Sequence, residues 1–410
     1  MIHIALITYD ISPVRGSEAA VSWNFVQRMS RHVNITVIYG HGCSEVENYI
    51  AKNPIDNVSW INIPTPIIPH GGLRWHIENY FNYRQWHKDA EKIIRQLVES
   101  NQIQLIHYLN PIGFKEPGDC WKINGVPYVW GPIQGVENRP LSLLKAFNNR
   151  EKIGVILRRI IHNSMFRFQS RFKKALKRTD FIFGATPNTI SSLKNIHGID
   201  AVYLPENGIL SMERNSPIHV TYNDPVRLIF VGMITDRKGL RILLDALRKV
   251  RSKNWHLDIV GDGPLKTKLE RQYCDLRDNL TWHGRLTREN TQKVFNKAHL
   301  HIITSLGEAN TTVIWEAMAK AIPTLTLDHC GMSAIVCDKC GIKIPISDYD
   351  SVVNNISQQI DELTENPERI EQMSAGVITC CKKFMWDNRI PLFLETYSTL
   401  INKYENQNSL

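Results

Sequence analysis

The chain has 410 residues, of which 43% are hydrophobic and 22% charged, and a formal net charge of +9. That length exceeds one ordinary domain and suits two of roughly 200 residues, and the composition excludes a disordered or fibrous chain. No apolar run approaches the ~18 residues that a membrane-spanning helix needs, and the opening MIHIALITYD lacks a basic segment and a cleavage site, so it reads as a first strand and not as a secretory signal.

From the start the pattern predicts strand, helix, strand. IHIALIT is an apolar run, a loop with Pro13 and Gly16 follows, and Glu18 to Ser30 has helical spacing through Ala20, Trp23, Phe25, Val26 and Met29. NITVIYG, VSWINIP, IQLIHYL, VPYVWGP, DFIFGAT and AVYLPE continue the strand series, with helical stretches between several of them. Short apolar strands alternating with helices predict a parallel sheet covered on both faces.

Within this half, residues 145–178 carry eleven Lys or Arg against the single acid Glu151, which outweighs the net charge of the whole chain. Ile153, Val155, Ile156, Leu157, Ile160, Ile161, Met165, Phe166, Phe168 and Phe172 are interleaved with these charges. Three readings stand here: a basic amphipathic segment attracted to an anionic membrane surface, a solvated helix whose apolar side packs into the domain, and nucleic-acid binding.

Residues 211–225 are polar, contain two prolines and read as a linker. The series then restarts: strand VRLIFVG, helix 238–252, strand WHLDIVG, helix 265–277, strand NLTWHG, helix 288–297, strand HLHIITS, helix 312–320 and strand IPTLTL, with a last helix over 390–404. Ser347 to Asp350 reads as a helix-start capping box and not as a metal-binding DxD. The expectation is an α/β chain with two doubly wound halves facing across a cleft, ligands sitting at the carboxyl ends of the strands. The eight cysteines are scattered, and a reducing cytosol suits them. Cys337-Asp-Lys-Cys340 has no second pair, so it reads as buried or half-buried thiols in a turn, and no metal is expected.

Four strand-to-helix turns carry the chemistry. Glu308 lies in the loop after HLHIITS, and Asn310, Thr311, Thr312 and Val313 lead into a helix with Glu316 one turn inside it. The open N–H groups of that helix start favour an anion, and carboxylates beside it suit sugar hydroxyls. The same residues also fit a plain capped helix start, with Thr311 or Thr312 as the cap. Arg237-Lys238-Gly239 follows the first strand of the second half, where two adjacent cations can hold a diphosphate or form a solvated basic turn. Gly261-Asp262-Gly263-Pro264 lets backbone approach a ligand, or simply turns tightly. Gly16-Ser17-Glu18 sits at the first turn of the first half and is too short for a dinucleotide fingerprint.

With those residues in view the sequence resembles the retaining GT-B glycosyltransferases of family 4, the group 1 glycosyl transferases. RKGLRILLDAL, LDIVGDGPL, the WHGRL strand end and EANTTVIWEAMAKAIPTLT match that family's landmarks in order, and the pair Glu308 and Glu316 matches its E-x7-E signature. The resemblance implies two Rossmann-like domains: an acceptor-binding one over 1–210 with the terminal helix 386–410 packing back on it, and a donor-binding one over 226–385. It implies that Glu308 binds donor-sugar hydroxyls and Glu316 the ribose. It implies that Arg237 and Lys238, with the amides around Asn310, Thr311, Thr312 and Val313, hold the diphosphate. Gly16, Gly261 and Gly263 would let backbone approach the ligand, and Arg285 and Leu286 would touch the base. The implied activity is metal-independent transfer of a sugar from a UDP- or GDP-sugar, with no cofactor. The acceptor would be a glycan or polyprenyl-linked molecule of envelope polysaccharide assembly, handled in the cytoplasm or at the inner face of the plasma membrane, with no nucleic acid as partner.

There are departures. Many relatives carry a His after the strand equivalent to VPYVW, where this chain has Gly131-Pro132-Ile133-Gln134-Gly135; His107, one strand earlier, reads as a core or cleft-wall residue. Thr311 replaces the usual glycine between the glutamates. A sugar-nucleotide epimerase, a phosphorylase or a non-catalytic nucleotide-sugar binder are the alternatives.

Overall fold

The computed structural model describes residues 1–16, 18–66, 72–222 and 224–408. Ser17 of the first turn, Asn223 of the polar stretch and residues 409–410 of the terminal helix lie outside the described residues. The chain divides into two units: Met1–Val136 with Asn163–Glu206 and Trp386–Leu410, and Glu137–His162 with Asn207–Met385.

The chain opens with β1 (His3–Asp10), α1 (Glu18–Met29), β2 (Asn34–His41), α2 (Cys43–Ile50), β3 (Val58–Asn62), α3 (Gly72–Glu99), β4 (Leu105–Asn110) and β5 (Tyr128–Ile133). Helix α4 (Asn149–Phe168) begins in the second unit and ends in the first. Then come α5 (Ser170–Arg178), β6 (Phe181–Gly184), α6 (Pro187–His197) and β7 (Val202–Tyr203). The seven strands form one parallel sheet in the order β3-β2-β1-β4-β5-β6-β7. Successive residues of β1 explain its continuous apolar run: Ile4 and Leu6 enter the core on one face, Ala5 and Ile7 the core on the other. Helix α6 shows how local chemistry sets an element's ends. The Thr186 side chain accepts from the Thr189 N–H, Pro187 opens the first turn, and Gly198 closes it at φ +70°.

The second unit holds β8 (Val226–Val231), α7 (Leu240–Leu247), β9 (Trp255–Val260), α8 (Lys266–Gln272), β10 (Leu280–Gly284), α9 (Arg288–Phe295), β11 (Leu300–Ile303), α10 (Thr312–Ala319) and β12 (Thr324–Leu327). It ends with α11 (Cys330–Ile335), β13 (Gly341–Ile344), α12 (Tyr349–Glu365) and α13 (Glu368–Cys380); α14 (Ile390–Asn408) belongs to the first unit. Its six parallel strands run β10-β9-β8-β11-β12-β13. This reverses direction between β8 and β11, the place where open α/β sheets leave a crevice at their carboxyl ends.

Several boundaries differ from the sequence pattern. The helix expected over 238–252 is a short 3-10 turn, Asp236–Lys238, followed by α7, because Gly239 takes φ +69° between them. Residues 137–162 lie in the second unit, although the sequence assigns all of 1–210 to the first. Where the pattern suggests a linker over 211–225, the chain is anchored on the second unit instead. Ile218 and Val220 are buried in its core, and the Ile218 N–H donates to Ser374 Oγ at 2.9 Å. Alternating buried residues inside a polar stretch escape a composition-based reading. Asp348 caps α12 through the Ser351 N–H at 3.0 Å, and Asp350 pairs with Lys145 at 2.8 Å.

In the first unit α14 contributes Phe393 and Tyr397 to the core, and Tyr397 Oη lies 2.6 Å from His107 Nδ1. His107 is fully buried, its other ring nitrogen is 2.9 Å from the Gly131 carbonyl, and burial lowers its pKa to about 4, so it is a neutral core residue. Replacing Tyr397 by Phe leaves a buried ring nitrogen without that partner. It is expected to lower the unfolding free energy by about 1–3 kcal/mol, seen as an earlier urea midpoint; an unchanged midpoint would show that the hydrogen bond contributes nothing net.

Candidate active site

The loops after β8 and β11 meet because those strands are neighbours at the switch point of the second sheet. The Leu306 N–H donates to the Arg237 carbonyl at 2.8 Å, and Thr304 Oγ1 donates to the Gly239 carbonyl at 2.9 Å. Only glycine fits at 239, since a Cβ there would collide with the Thr304 carbonyl and φ is already positive. The two loops are thereby fixed against each other before any side chain is considered.

That scaffold gathers three charges. Glu308 accepts from Arg237 through one carboxylate oxygen and from Lys238 at 2.8 Å through the other. The Glu308 side chain is 9% exposed, Lys238 13% and Arg237 40%. Two cations thus surround one buried carboxylate and leave a net positive charge near the surface, on the Arg237 side. Behind them His301 on β11 is buried; burial, and then Lys238, lower its pKa to about 3, so it adds no competing charge. The Lys238 stem passes Gly232, at the end of β8, at the distance of an ordinary contact, 3.5 Å from where a Cβ would stand.

The remaining sequence-predicted residues fall into distinct places. Gly261 and Gly263 pack against the loop after β8: a Cβ on Gly261 would collide with the Gly232 carbonyl, and one on Gly263 would stand 2.5 Å from the Ile234 carbonyl. Arg285 is exposed after β10, and Leu286 is half-buried against the core. Thr311 is the residue before α10, but its side chain makes no capping hydrogen bond, so the capped-helix reading of this turn is not realised. Thr312 and Val313 form the open first turn, and Asn310 lies against Gly331. Glu316, on α10, has Arg288, Glu213, Lys320 and Gln292 as its main electrostatic neighbours. Burial raises its carboxyl, Glu213 adds to the rise, and Arg288, Lys320 and Gln292 oppose it. Gly16 belongs to the first unit, in the exposed turn after β1 beside Arg15, which pairs with Asp10 and Glu45.

Residues that sequence reasoning missed come from two loops. Arg139 lies against Gly307, with its Cγ 3.1 Å from where a Cβ would be, and joins Arg158, Arg159 and His162 around a cavity of about 160 Å³. Burial lowers the Arg139 pKa, and the charges of Arg158 and Arg237 add to that. The start of α11, where Cys330 takes φ +55°, brings Gly331 onto Ala309 and Asn310. No spacing in the sequence signals either contact; the crowding of Arg158 and Arg159 is the one local hint.

Comparison with known proteins bears on this geometry. Residues 225–362, which contain Arg237, Lys238, Glu308 and Glu316, match the glycosyl transferases group 1 family model. An uncharacterized glycosyltransferase of Methanocaldococcus jannaschii is 26% identical over 76% of this chain and 80% of its own length. The amylovoran biosynthesis glycosyltransferase AmsK of Erwinia amylovora is 24% identical over 32% of this chain and 34% of its own length. The crystal structure of Anabaena HepE in complex with UDP aligns with a TM-score of 0.63 at 12% identity, covering 98% of this chain and all of HepE. The sequence matches are to glycosyltransferases, and the structural likeness is to the two-domain GT-B fold. The switch point between β8 and β11 is where this chain brings Arg237, Lys238 and Glu308 together.

The Gly239→Ala variant is expected to lose at least about 1–3 kcal/mol of stability from the positive φ alone. A thermal midpoint equal to wild type would mean that the two loops do not need their present approach.

Proposed function

We propose that this protein is a glycosyltransferase that transfers a sugar, with retention at the anomeric carbon, from a nucleoside-diphosphate sugar to a glycan or lipid-linked acceptor. The observation that carries the proposal is the Arg237–Glu308–Lys238 cluster. One carboxylate between two cations leaves positive charge that a diphosphate would neutralise. The complex of HepE with UDP supports a nucleotide of that kind, and the name of AmsK supports polysaccharide assembly as the setting. An epimerase, a phosphorylase or a non-catalytic binder finds no support in these matches.

In this reading the bond between the anomeric carbon and the diphosphate oxygen breaks, and positive charge grows on carbon while negative charge grows on phosphate. Arg237 and Lys238 stabilise the departing diphosphate, with the open N–H groups of Thr312 and Val313 assisting. Glu308 holds those cations and takes donor-sugar hydroxyls. Glu316 accepts from the ribose, and Arg285 and Leu286 flank the base. The acceptor hydroxyl attacks from the face that the leaving group vacates; its oxygen bonds to the anomeric carbon and its proton passes to the leaving phosphate. Fixed cations supply the charge that a divalent metal supplies elsewhere. The first unit, with Gly16, takes the acceptor side.

A second observation concerns location. Ile153, Ile156, Leu157, Ile160 and Ile161 on α4 recur at helical spacing, and each is 42–62% exposed. Arg150, Lys152, Arg158 and Arg159 flank this unpacked apolar stripe. A solvated helix would expose its polar side, whereas an exposed apolar stripe between cations suits an anionic membrane surface. Among the described residues no helix is long and apolar enough to cross a membrane, so the association proposed is peripheral, at the inner face of the plasma membrane.

Donor screening with UDP- and GDP-sugars, read by product mass and by the anomeric configuration in NMR, tests the reaction; an inverted product removes the retaining assignment. Lys238→Ala and Glu308→Ala are each expected to cut transfer by about 100-fold or more with the fold intact by circular dichroism, and added Mg²⁺ or Mn²⁺ is expected not to raise the wild-type rate. Wild-type rates in both variants would end the site assignment. Because Glu316 must be ionised to accept hydroxyls and its carboxyl is raised, donor affinity should weaken as pH falls through values above the ordinary carboxylate range. Donor Kd measured against pH checks this, and Glu316→Gln should abolish the dependence. Leu157→Glu with Ile160→Glu is expected to reduce sedimentation with phosphatidylglycerol vesicles; sedimentation equal to wild type would remove the membrane role of α4.

A further inference from the structure

Three thiols meet at the edge of the second sheet, and none of them belongs to the charge cluster just described. Cys337 and Cys340 bracket the turn that enters edge strand β13, and Cys380 is the last residue of α13. Cys337 Sγ lies 3.1 Å from Cys380 Sγ and 3.3 Å from Cys340 Sγ, and all three sulfurs are within 4.8 Å of one another.

The approach is built into the backbone. A Cβ on Gly376, one helical turn before Cys380, would collide with the Lys339 carbonyl, so only glycine lets α13 lie on the 337–340 turn. Within that turn the Cys337 N–H points at Cys340 Sγ at 3.1 Å. Cysteine binds metals as its thiolate, and the three sulfurs stand close enough for one ion to reach them all.

We propose that Cys337, Cys340 and Cys380 form a three-thiolate site for a thiophilic cation, Zn²⁺ or Cu⁺. Sulfur ligands favour these ions over Mg²⁺, Ca²⁺ or Mn²⁺. A Zn–S bond of about 2.3 Å in tetrahedral geometry spaces the sulfurs about 3.8 Å apart, so the two pairs that Cys337 makes, at 3.1 and 3.3 Å, would each open by roughly half an ångström. A disulfide would join two of the sulfurs and leave the third over, whereas a cation engages all three. Cys340 is buried, while Cys337 and Cys380 are half-buried and give the ion a way in from solvent, which can supply a fourth ligand to Zn²⁺. Binding releases the protons of the three thiols to solvent, and the positive charge of Lys383 near Cys380 offsets part of the resulting negative charge. The ion clamps the end of α13 to the start of β13, and it stabilises the fold by mass action because it binds the assembled cluster. This site does not depend on the transferase reading.

The test uses the full chain, reduced with a phosphine and stripped with a chelator. Zn²⁺ is titrated against a chromophoric chelator and Cu⁺ anaerobically against a copper(I) chelator, with Co²⁺ as a spectroscopic substitute for Zn²⁺. One equivalent should bind, Co²⁺ should give a thiolate charge-transfer band, and the bound ion should raise the thermal midpoint. Cys380→Ser should weaken binding by at least about tenfold, the loss that even an outer-sphere partner can cause, and remove the band and the thermal shift. Cys274→Ser, at an exposed cysteine outside the cluster, should bind as wild type. Equal affinity of wild type and Cys380→Ser for both ions overturns the proposal. So does a reduced protein that takes up neither ion and forms only a Cys337–Cys380 disulfide in air. Folding of Cys380→Ser is read by circular dichroism, and Cys337→Ser is the second variant should it fail.

Discussion

The pairing of Glu308 with Arg237 and Lys238 depends on a prior constraint, the adjacency of β8 and β11 in the second sheet. Strands 226–231 and 300–303 are far apart in the chain, and their neighbouring carboxyl ends deliver one loop with two cations and another with one carboxylate. Burying the carboxylate strengthens its hold on both cations, because less water competes for it. The residual positive charge is displayed on the more exposed Arg237. A site arranged in advance stabilises a developing anion without reorganising at the moment of reaction.

Glycine acts as the silent partner of that arrangement. Gly239 meets the Thr304 carbonyl and Gly261 meets the Gly232 carbonyl. Each lets two loops approach to backbone contact. Away from the site, Gly376 does the same for α13 and the 337–340 turn. Helix α4 follows the opposite logic. Val155 is buried while Ile153, Ile156, Leu157, Ile160 and Ile161 are not, so its apolar stripe is left for something other than the protein's own core.

Much of this was legible in the sequence. Apolar runs such as IHIALIT and VRLIFVG mark strands because a parallel sheet buries both faces, and the alternation with helical spacing gives the two doubly wound halves. Glu308, Arg237 and Lys238 could be singled out because each follows a strand. Other features were not legible. Ile218 and Val220 lie in a stretch whose composition is polar, so an average over the window hides the two residues that anchor it. Arg139 precedes Gly307 by well over a hundred residues, and its contact there arises only because residues 137–162 pack with the second unit.

The sequence by itself determined the element types, their alternation and the residues that carry charge at strand ends, because periodicity and composition act locally along the chain. Tertiary structure alone decided which of those charges meet. It joined Glu308 to Arg237 and Lys238, kept Glu316 in a different electrostatic setting, and turned a solitary CxxC into a three-sulfur cluster by adding Cys380 from 43 residues away. Strand order and the close approach of glycine backbones determine such meetings, and both are properties of packing between segments that no local pattern encodes.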